Sequence, residues 1–161
     1  MSILDIDEAL IDLLKKVEVV RSTPLLDVKG FPPADVGIVE GAVATEEDVK
    51  TLRRMRDSCR TLVALGDCAC FGGITSYRNL FDKEDILSRV YIETESTIEG
   101  KIPQSRQLPP LLEKVKPVNN IVTTDCYIPG CPPSPDVILY TFKELLAGRM
   151  PILPSEMASF E

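Results

Sequence analysis

Thr61-Leu62-Val63-Ala64-Leu65-Gly66-Asp67-Cys68-Ala69-Cys70-Phe71-Gly72-Gly73 is the stretch on which the reading of this chain turns. Residues 61–65 form a short continuous apolar run that breaks at Gly66-Asp67. A strand apolar on both faces must be covered on both faces, and that is the habit of parallel sheets with helices above and below. Ligands of such sheets sit just past the carboxyl ends of the strands. Cys68 and Cys70 therefore fall at the edge where chemistry is expected. A second stretch repeats the arrangement. Residues 121–124 read as a strand, and Asp125-Cys126-Tyr127-Ile128-Pro129-Gly130-Cys131-Pro132-Pro133 follows it. Four of the five cysteines then gather at one sheet edge. The glycines next to Cys68 and Cys131, Gly66 and Gly130 among them, would let backbone approach a bulky group and offer N–H donors to sulfur.

The flanking sequence fits an alternating α/β order. Ser2 followed by Asp5 resembles a helix cap, and apolar residues at three-to-four spacing predict a helix over 3–16. A β-branched run at 17–20 and another at 36–39 read as strands, separated by a proline-rich loop at 23–33. Thr45 with Glu46-Glu47-Asp48 caps a further helix, with Val49, Leu52, Met55 and Cys59 on its inner face. Residues 71–104 lack periodicity, and 108–115 read as a short helix behind Pro109-Pro110. Ser134-Pro135 opens a last helix that stops at Gly148. The expected architecture is one doubly wound parallel α/β domain over 1–148 with a tail at 149–161. A helix that opens such a fold without a strand before it leaves either an unusually small sheet or a sheet that lacks its first strand in this numbering.

Composition narrows the chemistry. Eighteen basic against 25 acidic side chains leave a net charge of −7, which argues against a nucleic-acid partner. No apolar run approaches the ~18 residues that a bilayer span needs, so no membrane anchor is expected. No secretory signal is visible, and the chain reads as intracellular. There is no histidine, which removes His-based acid–base and nucleophilic catalysis. Reduced cysteines in such a chain are metal ligands, redox groups or small buried hydrophobes. Cys59, on a predicted helix face, reads as core. A Cys68–Cys70 redox pair would be strained by its one-residue gap. A zinc site from Cys68, Cys70, Cys126 and Cys131 fits the usual spacing only loosely. Thiolate ligation of an iron–sulfur cluster is the reading that best suits glycine-bearing loops.

Three segments carry a resemblance. VEGAVATEEDV and LVALGDCACFGG, within residues 39–73, resemble the small subunit of nickel–iron hydrogenases. YIPGCPPSPDVI at 127–138 resembles that family's later motif, shared with the cluster-bearing subunit of complex I. SILDIDEALIDLL at 2–14 is similar to the helix that follows the family's first cluster loop. The wording leans to cytoplasmic hydrogenases linked to NAD or to electron bifurcation.

The resemblance implies a flavodoxin-like domain holding one proximal [4Fe-4S] cluster, with Cys68 and Cys131 matching two of its four cysteine ligands. The other two belong to a Cys-x-x-Cys loop before the helix at Ser2. Roughly 15–35 residues carrying that loop and the first strand are thus expected upstream. The chain would be a non-catalytic electron-transfer subunit of an oxidoreductase complex. The nickel–iron centre would sit on a large subunit, and FMN with NAD(P) or ferredoxin chemistry on flavin/Fe–S diaphorase-type subunits. Glu40 reads as an exposed acid at a strand end or as a polar residue at the interface with that large subunit, which Arg78 and Asn79 would also face. A complex I-like quinone reductase or formate hydrogenlyase subunit is the nearest alternative, and a metal-free flavodoxin-like scaffold is one of another class.

Overall fold

The computed structural model describes residues 2–22, 26 and 28–157. In chain order its elements are a 3-10 turn at Leu4–Ile6, α1 (Glu8–Leu14), β1 (Ala34–Glu40), β2 (Val43–Thr45), α2 (Glu46–Ser58) and β3 (Cys59–Leu65). There follow α3 (Gly66–Phe71), a 3-10 helix at Ile74–Leu80, α4 (Lys83–Tyr91), β4 (Leu111–Lys116), a 3-10 turn at Val118–Asn120, β5 (Cys126–Ile128), α5 (Pro135–Leu146) and a final 3-10 turn at Ser155–Met157. β3 is the middle strand of a parallel sheet ordered β1-β3-β5, and β2 with β4 makes a separate antiparallel ribbon.

The apolar run at Leu62–Leu65 is buried throughout, as a two-sided strand requires. Its side chains alternate between two cores. Leu62 and Ala64 pack with Leu52 of α2, Ala69 and Cys70 of α3, and Val118. Val63 and Leu65 pack with Ile128 of β5, Val137 and Ile138 of α5, and Ile6. Helices therefore cover both faces, the doubly wound α/β arrangement read from the sequence. Residues 149–157, which follow α5, lie on the second face. Leu153 and Met157 join that core, and the Tyr140 hydroxyl donates to the Ile152 carbonyl at 2.9 Å. No helix of the described residues is long and apolar enough to cross a membrane.

Two local devices hold the frame. Thr45 caps α2 in a closed box: its hydroxyl accepts the Asp48 N–H at 3.1 Å, and the Asp48 carboxylate accepts the Thr45 N–H at 2.8 Å. The second device is Asp125, at the entrance to β5. Its N–H donates to the Leu62 carbonyl at 3.0 Å and its carboxylate accepts the Leu62 N–H at 2.7 Å. Arg56 pairs with the same carboxylate while its guanidinium also donates to the carbonyls of Cys59 and Arg60.

Several elements differ from expectation. The opening helix is broken at Asp7, whose φ of 54° ends the 3-10 turn before α1 begins, and Ser2 makes no cap. Residues 17–20 form no strand. The expected loop at 23–33 agrees where residues are described; positions 23–25 and 27 lie outside them. Cys59 is the C-cap of α2 and the first residue of β3, not a residue of the helix's inner face. Residues 66–71 are helical rather than a loop, and 83–91 form a helix within a stretch that showed no periodicity. Residues 111–116 are a strand, not a helix: Pro109-Pro110 hold the chain extended and deliver it to β2. The strand predicted at 121–124 lies instead at 126–128. The N–H groups of Ile121 and Val122 both turn back to the Val118 carbonyl, so pairing with β3 begins only where Asp125 engages Leu62.

Asp125→Ala leaves the Leu62 N–H and the Arg56 guanidinium without their acceptor. It should cost about 1–3 kcal/mol in denaturant unfolding at neutral pH. The hydrogen bond from Arg56, then that from Leu62, hold the Asp125 carboxyl below its ordinary value. A depressed carboxyl stabilises the fold above its unfolded value of ~3.9, and that stabilisation is lost as pH falls through the lower folded value. The stability gap between wild type and Asp125→Asn should therefore be constant above about pH 5 and close below pH ~3.9. An unchanged gap at pH 2 would contradict it.

Candidate functional site

The carboxyl edge of the sheet is where β3 and β5 stop pairing. Their ladder is short, with Val63, Ala64 and Leu65 opposite Cys126, Tyr127 and Ile128. Beyond it β3 turns directly into α3, and β5 runs into the Gly130-Cys131-Pro132-Pro133 turn, whose Cys131–Pro132 bond is cis. Two hydrogen bonds join the diverging ends. The Asp67 N–H donates to the Gly130 carbonyl at 3.0 Å, and the Asp67 carboxylate accepts the Gly130 N–H at 2.7 Å. Asp67 directly precedes Cys68, and Gly130 directly precedes Cys131. The structure thus brings the two predicted ligand cysteines to the same edge through the residues ahead of them.

Space is kept open there by glycine. A Cβ on Gly73, whose φ is 49°, would lie 2.8 Å from the Cys68 Sγ. A Cβ on Gly130, whose φ is 130°, would lie 2.6 Å from the Cα of Pro133. Neither position tolerates a side chain. Gly66 also has positive φ, and a Cβ added there would make only ordinary contact with the Gly130 carbonyl and Pro133. The expectation that Gly130 offers its N–H to sulfur is corrected: that donor is committed to Asp67.

The five cysteines divide into two classes. Cys59, Cys70 and Cys126 are buried, whereas Cys68 is half-buried and Cys131 exposed. Burial pushes the Cys70 thiol up to about 11 and raises those of Cys59 and Cys126. Cys70 points into the core and donates to the Ala64 carbonyl at 3.5 Å. Cys126 is a strand residue facing the α5-side core, not part of the loop where the sequence placed it. Their burial in the two apolar clusters makes these three core groups. Cys68 and Cys131 alone have access to a ligand at this edge.

Two expected interface residues turn inward. Asn79 donates to the Val115 carbonyl at 2.9 Å and accepts the Val115 N–H at 2.7 Å, and Arg78 donates to the Leu112 carbonyl at 2.7 Å. Both fasten the Ile74–Leu80 helix to β4. Glu40, at the end of β1, is exposed. Sequence reading missed what the same helix shows to solvent. Residues three apart eclipse in a 3-10 helix, and Ile74, Tyr77 and Leu80 are 70%, 65% and 73% exposed. Phe71 and Phe81, at either end, are exposed as well. The signal in the sequence is the three-residue spacing of 74, 77 and 80. Contiguous apolar surface of this kind marks a contact face.

Residues 1–145 match the family described as "NADH ubiquinone oxidoreductase, 20 Kd subunit", and the chain belongs to that family. It is 37% identical over 165 residues to the NAD-reducing hydrogenase HoxS subunit delta of Cupriavidus necator, covering 100% of this chain and 78% of that protein. It is 31% identical to the iron-sulfur subunit of the F420-non-reducing hydrogenase of Archaeoglobus profundus, covering 94% of this chain and 53% of that one. The chain thus spans about half the length of the archaeal relative. A subunit in the crystal structure of an NAD+-reducing [NiFe]-hydrogenase in the H2-reduced state superimposes with a TM-score of 0.95 at 38% identity, over 100% of this chain and 90% of that one. These relatives are hydrogenase subunits, and the chain is a subunit of that type.

Alkylation of the metal-free native chain at neutral pH should modify Cys68 and Cys131 and leave Cys59, Cys70 and Cys126 unlabelled until the protein is denatured. Peptide mapping by mass spectrometry reads this out. Labelling of Cys70 at the rate of Cys131 would contradict the two-class assignment.

Proposed function

We propose that this chain is the electron-transfer small subunit of a cytoplasmic NiFe-hydrogenase and carries the proximal [4Fe-4S] cluster between the large subunit's NiFe site and flavin/Fe–S partner subunits. The observation that carries the reading is the Asp67–Gly130 link, which joins the turns that carry Cys68 and Cys131 at the open edge, while burial withdraws the other three thiols. Soft thiolates in glycine-lined loops suit iron–sulfur ligation. Among the described residues no group of three or more His, Cys, Asp or Glu side chains is arranged to hold a metal. The chain's described contribution is thus two thiolates, Cys68 and Cys131. The cluster supplies one-electron redox chemistry when bound. The protein around it holds the two thiolates in place, and Gly66 and Gly130 shape the approach without adding side-chain bulk.

On this reading nickel–iron, FMN and NAD(P) or ferredoxin chemistry falls to partner subunits. The stripe of Ile74, Tyr77 and Leu80, flanked by Phe71 just after Cys68, is the surface proposed to meet the large subunit. An interface that covers it and the cysteine edge would exceed the ~1,600 Å² of a standard one. The family description also fits a quinone-reductase subunit. The likeness to hydrogenase subunits favours the hydrogenase over the quinone reductase.

Anaerobically purified complex tests the proposal. Wild type should contain about four iron and four acid-labile sulfide per chain from this cluster. Cys68→Ser and Cys131→Ser should each deplete it and abolish hydrogen-dependent reduction of the acceptor. Full cluster EPR in both variants would refute the ligand assignment, and iron-free wild-type complex would refute the electron-transfer role. Tyr77→Glu with Leu80→Glu should weaken association with the large subunit at least about tenfold, measured as co-purification yield or by titration. Unchanged assembly would remove the stripe from the interface.

A further inference from the structure

We infer that Asp67 is a positioning residue: its carboxylate and N–H together fix the Cys131 loop against the Cys68 turn and so set the separation of the two thiolates. The inference rests on the proposed cluster role of those cysteines. The β3–β5 ladder ends at Leu65 and Ile128, and α3 begins at Gly66. Past that point the two chains diverge, and no strand hydrogen bond is left to hold them. Asp67 restores the connection. Its N–H is one of the first donors of a short helix, which have no partner within the helix, and it reaches the Gly130 carbonyl at 3.0 Å. Its carboxylate stands where a neighbouring strand would offer a carbonyl and takes the Gly130 N–H at 2.7 Å. Both backbone groups of Gly130 are therefore held by one residue.

The loop beyond cannot relax around this point. Gly130 has a φ of 130°, and its Cα lies so near Pro132 and Pro133 that an added Cβ would meet the Pro132 carbonyl at 2.9 Å and the Pro133 Cα at 2.6 Å. With two prolines behind it, Cys131 inherits its position from Gly130. Cys68 inherits its own from Asp67 on the α3 turn, with Gly73 packed against it. Each thiol is one residue from the clamp, so a small displacement at Asp67 moves one relative to the other. A charge-assisted hydrogen bond is roughly twice as strong as a neutral one, which explains a carboxylate at this position.

The test uses the assembled complex with Asp67→Ala and Asp67→Asn. Asp67→Ala should release cluster iron to a chelator at least about tenfold faster and broaden the cluster EPR signal. Hydrogen exchange at the Gly130 amide should rise in the same variant. Asp67→Asn keeps an acceptor oxygen, so it should restore iron retention and amide protection to within about twofold of wild type. It should also raise the cluster's reduction potential, because a negative charge next to the ligand turn is gone. A role in stability alone would not move the potential of a folded, fully loaded Asn variant. Wild-type exchange and iron retention in Asp67→Ala would overturn the inference, as would an Asn variant with unshifted potential and no rescue. Iron-free wild type would overturn the cluster reading instead. Loss of Gly130 protection in the Ala variant would then still support the clamp.

Discussion

The fold depends on holding β5 to β3 across a very short ladder, and two aspartates do it. Asp125 engages Leu62 at one end, and Asp67 engages Gly130 at the other. In each case one residue uses its N–H and its carboxylate to occupy both backbone groups of its partner. The three ladder pairs between them would be a weak connection alone. The side chains act as added rungs, each adding a charge-assisted bond in a half-sheltered position. Arg56 fixes the first clamp further by tying Asp125 to the end of α2 and the start of β3. Among the described residues no basic side chain pairs with Asp67. The acid is thus neutralised where the task is packing and left as a lone carboxylate beside the cysteines.

Burial then sorts the cysteines. The sheet interior takes Cys59, Cys70 and Cys126, and desolvation there keeps the thiol form. Spacing alone would have grouped Cys68 with Cys70 and Cys126 with Cys131. The α3 turn separates the first pair, since residues two apart on a helix do not share a face. The true start of β5 separates the second, since Cys126 lies within the strand and Cys131 beyond its end. One cysteine of each motif faces the core and one faces the edge.

Legibility in the sequence followed the strength of the local signal. The buried run at 61–65, the Thr45 cap and the Ser134–Gly148 helix are each specified by residues within a few positions, and all appear where expected. The misplaced elements are those whose form is decided at a distance. Residues 111–116 become a strand because β2 and Asn79 offer partners. Residues 121–124 have strand propensity, but their N–H groups are spent on a turn before they reach β3. Residues 17–20 have it as well and find no partner among the described strands. For the site, cysteine and glycine were readable as chemistry, whereas Asp67 was not. Its function lies in a contact 63 positions away, and nothing local distinguishes it from a helix-start acid.

The clamp also decides which levers this chain retains over a bound cluster. N–H donors aimed at sulfur are the usual means of raising a cluster's potential. The Gly130 amide is unavailable for it, being aimed at Asp67. The same carboxylate adds a negative charge within one residue of Cys68, which opposes further negative charge on the ligand set. Both effects act in one direction, toward a lower potential. A partner subunit seated over the apolar stripe and the exposed Cys131 would exclude water and make that charge felt more strongly, because screening falls as solvent leaves. The connection between the two cysteine loops thus follows from a single side chain, whose position is set by the point where β3 gives way to α3.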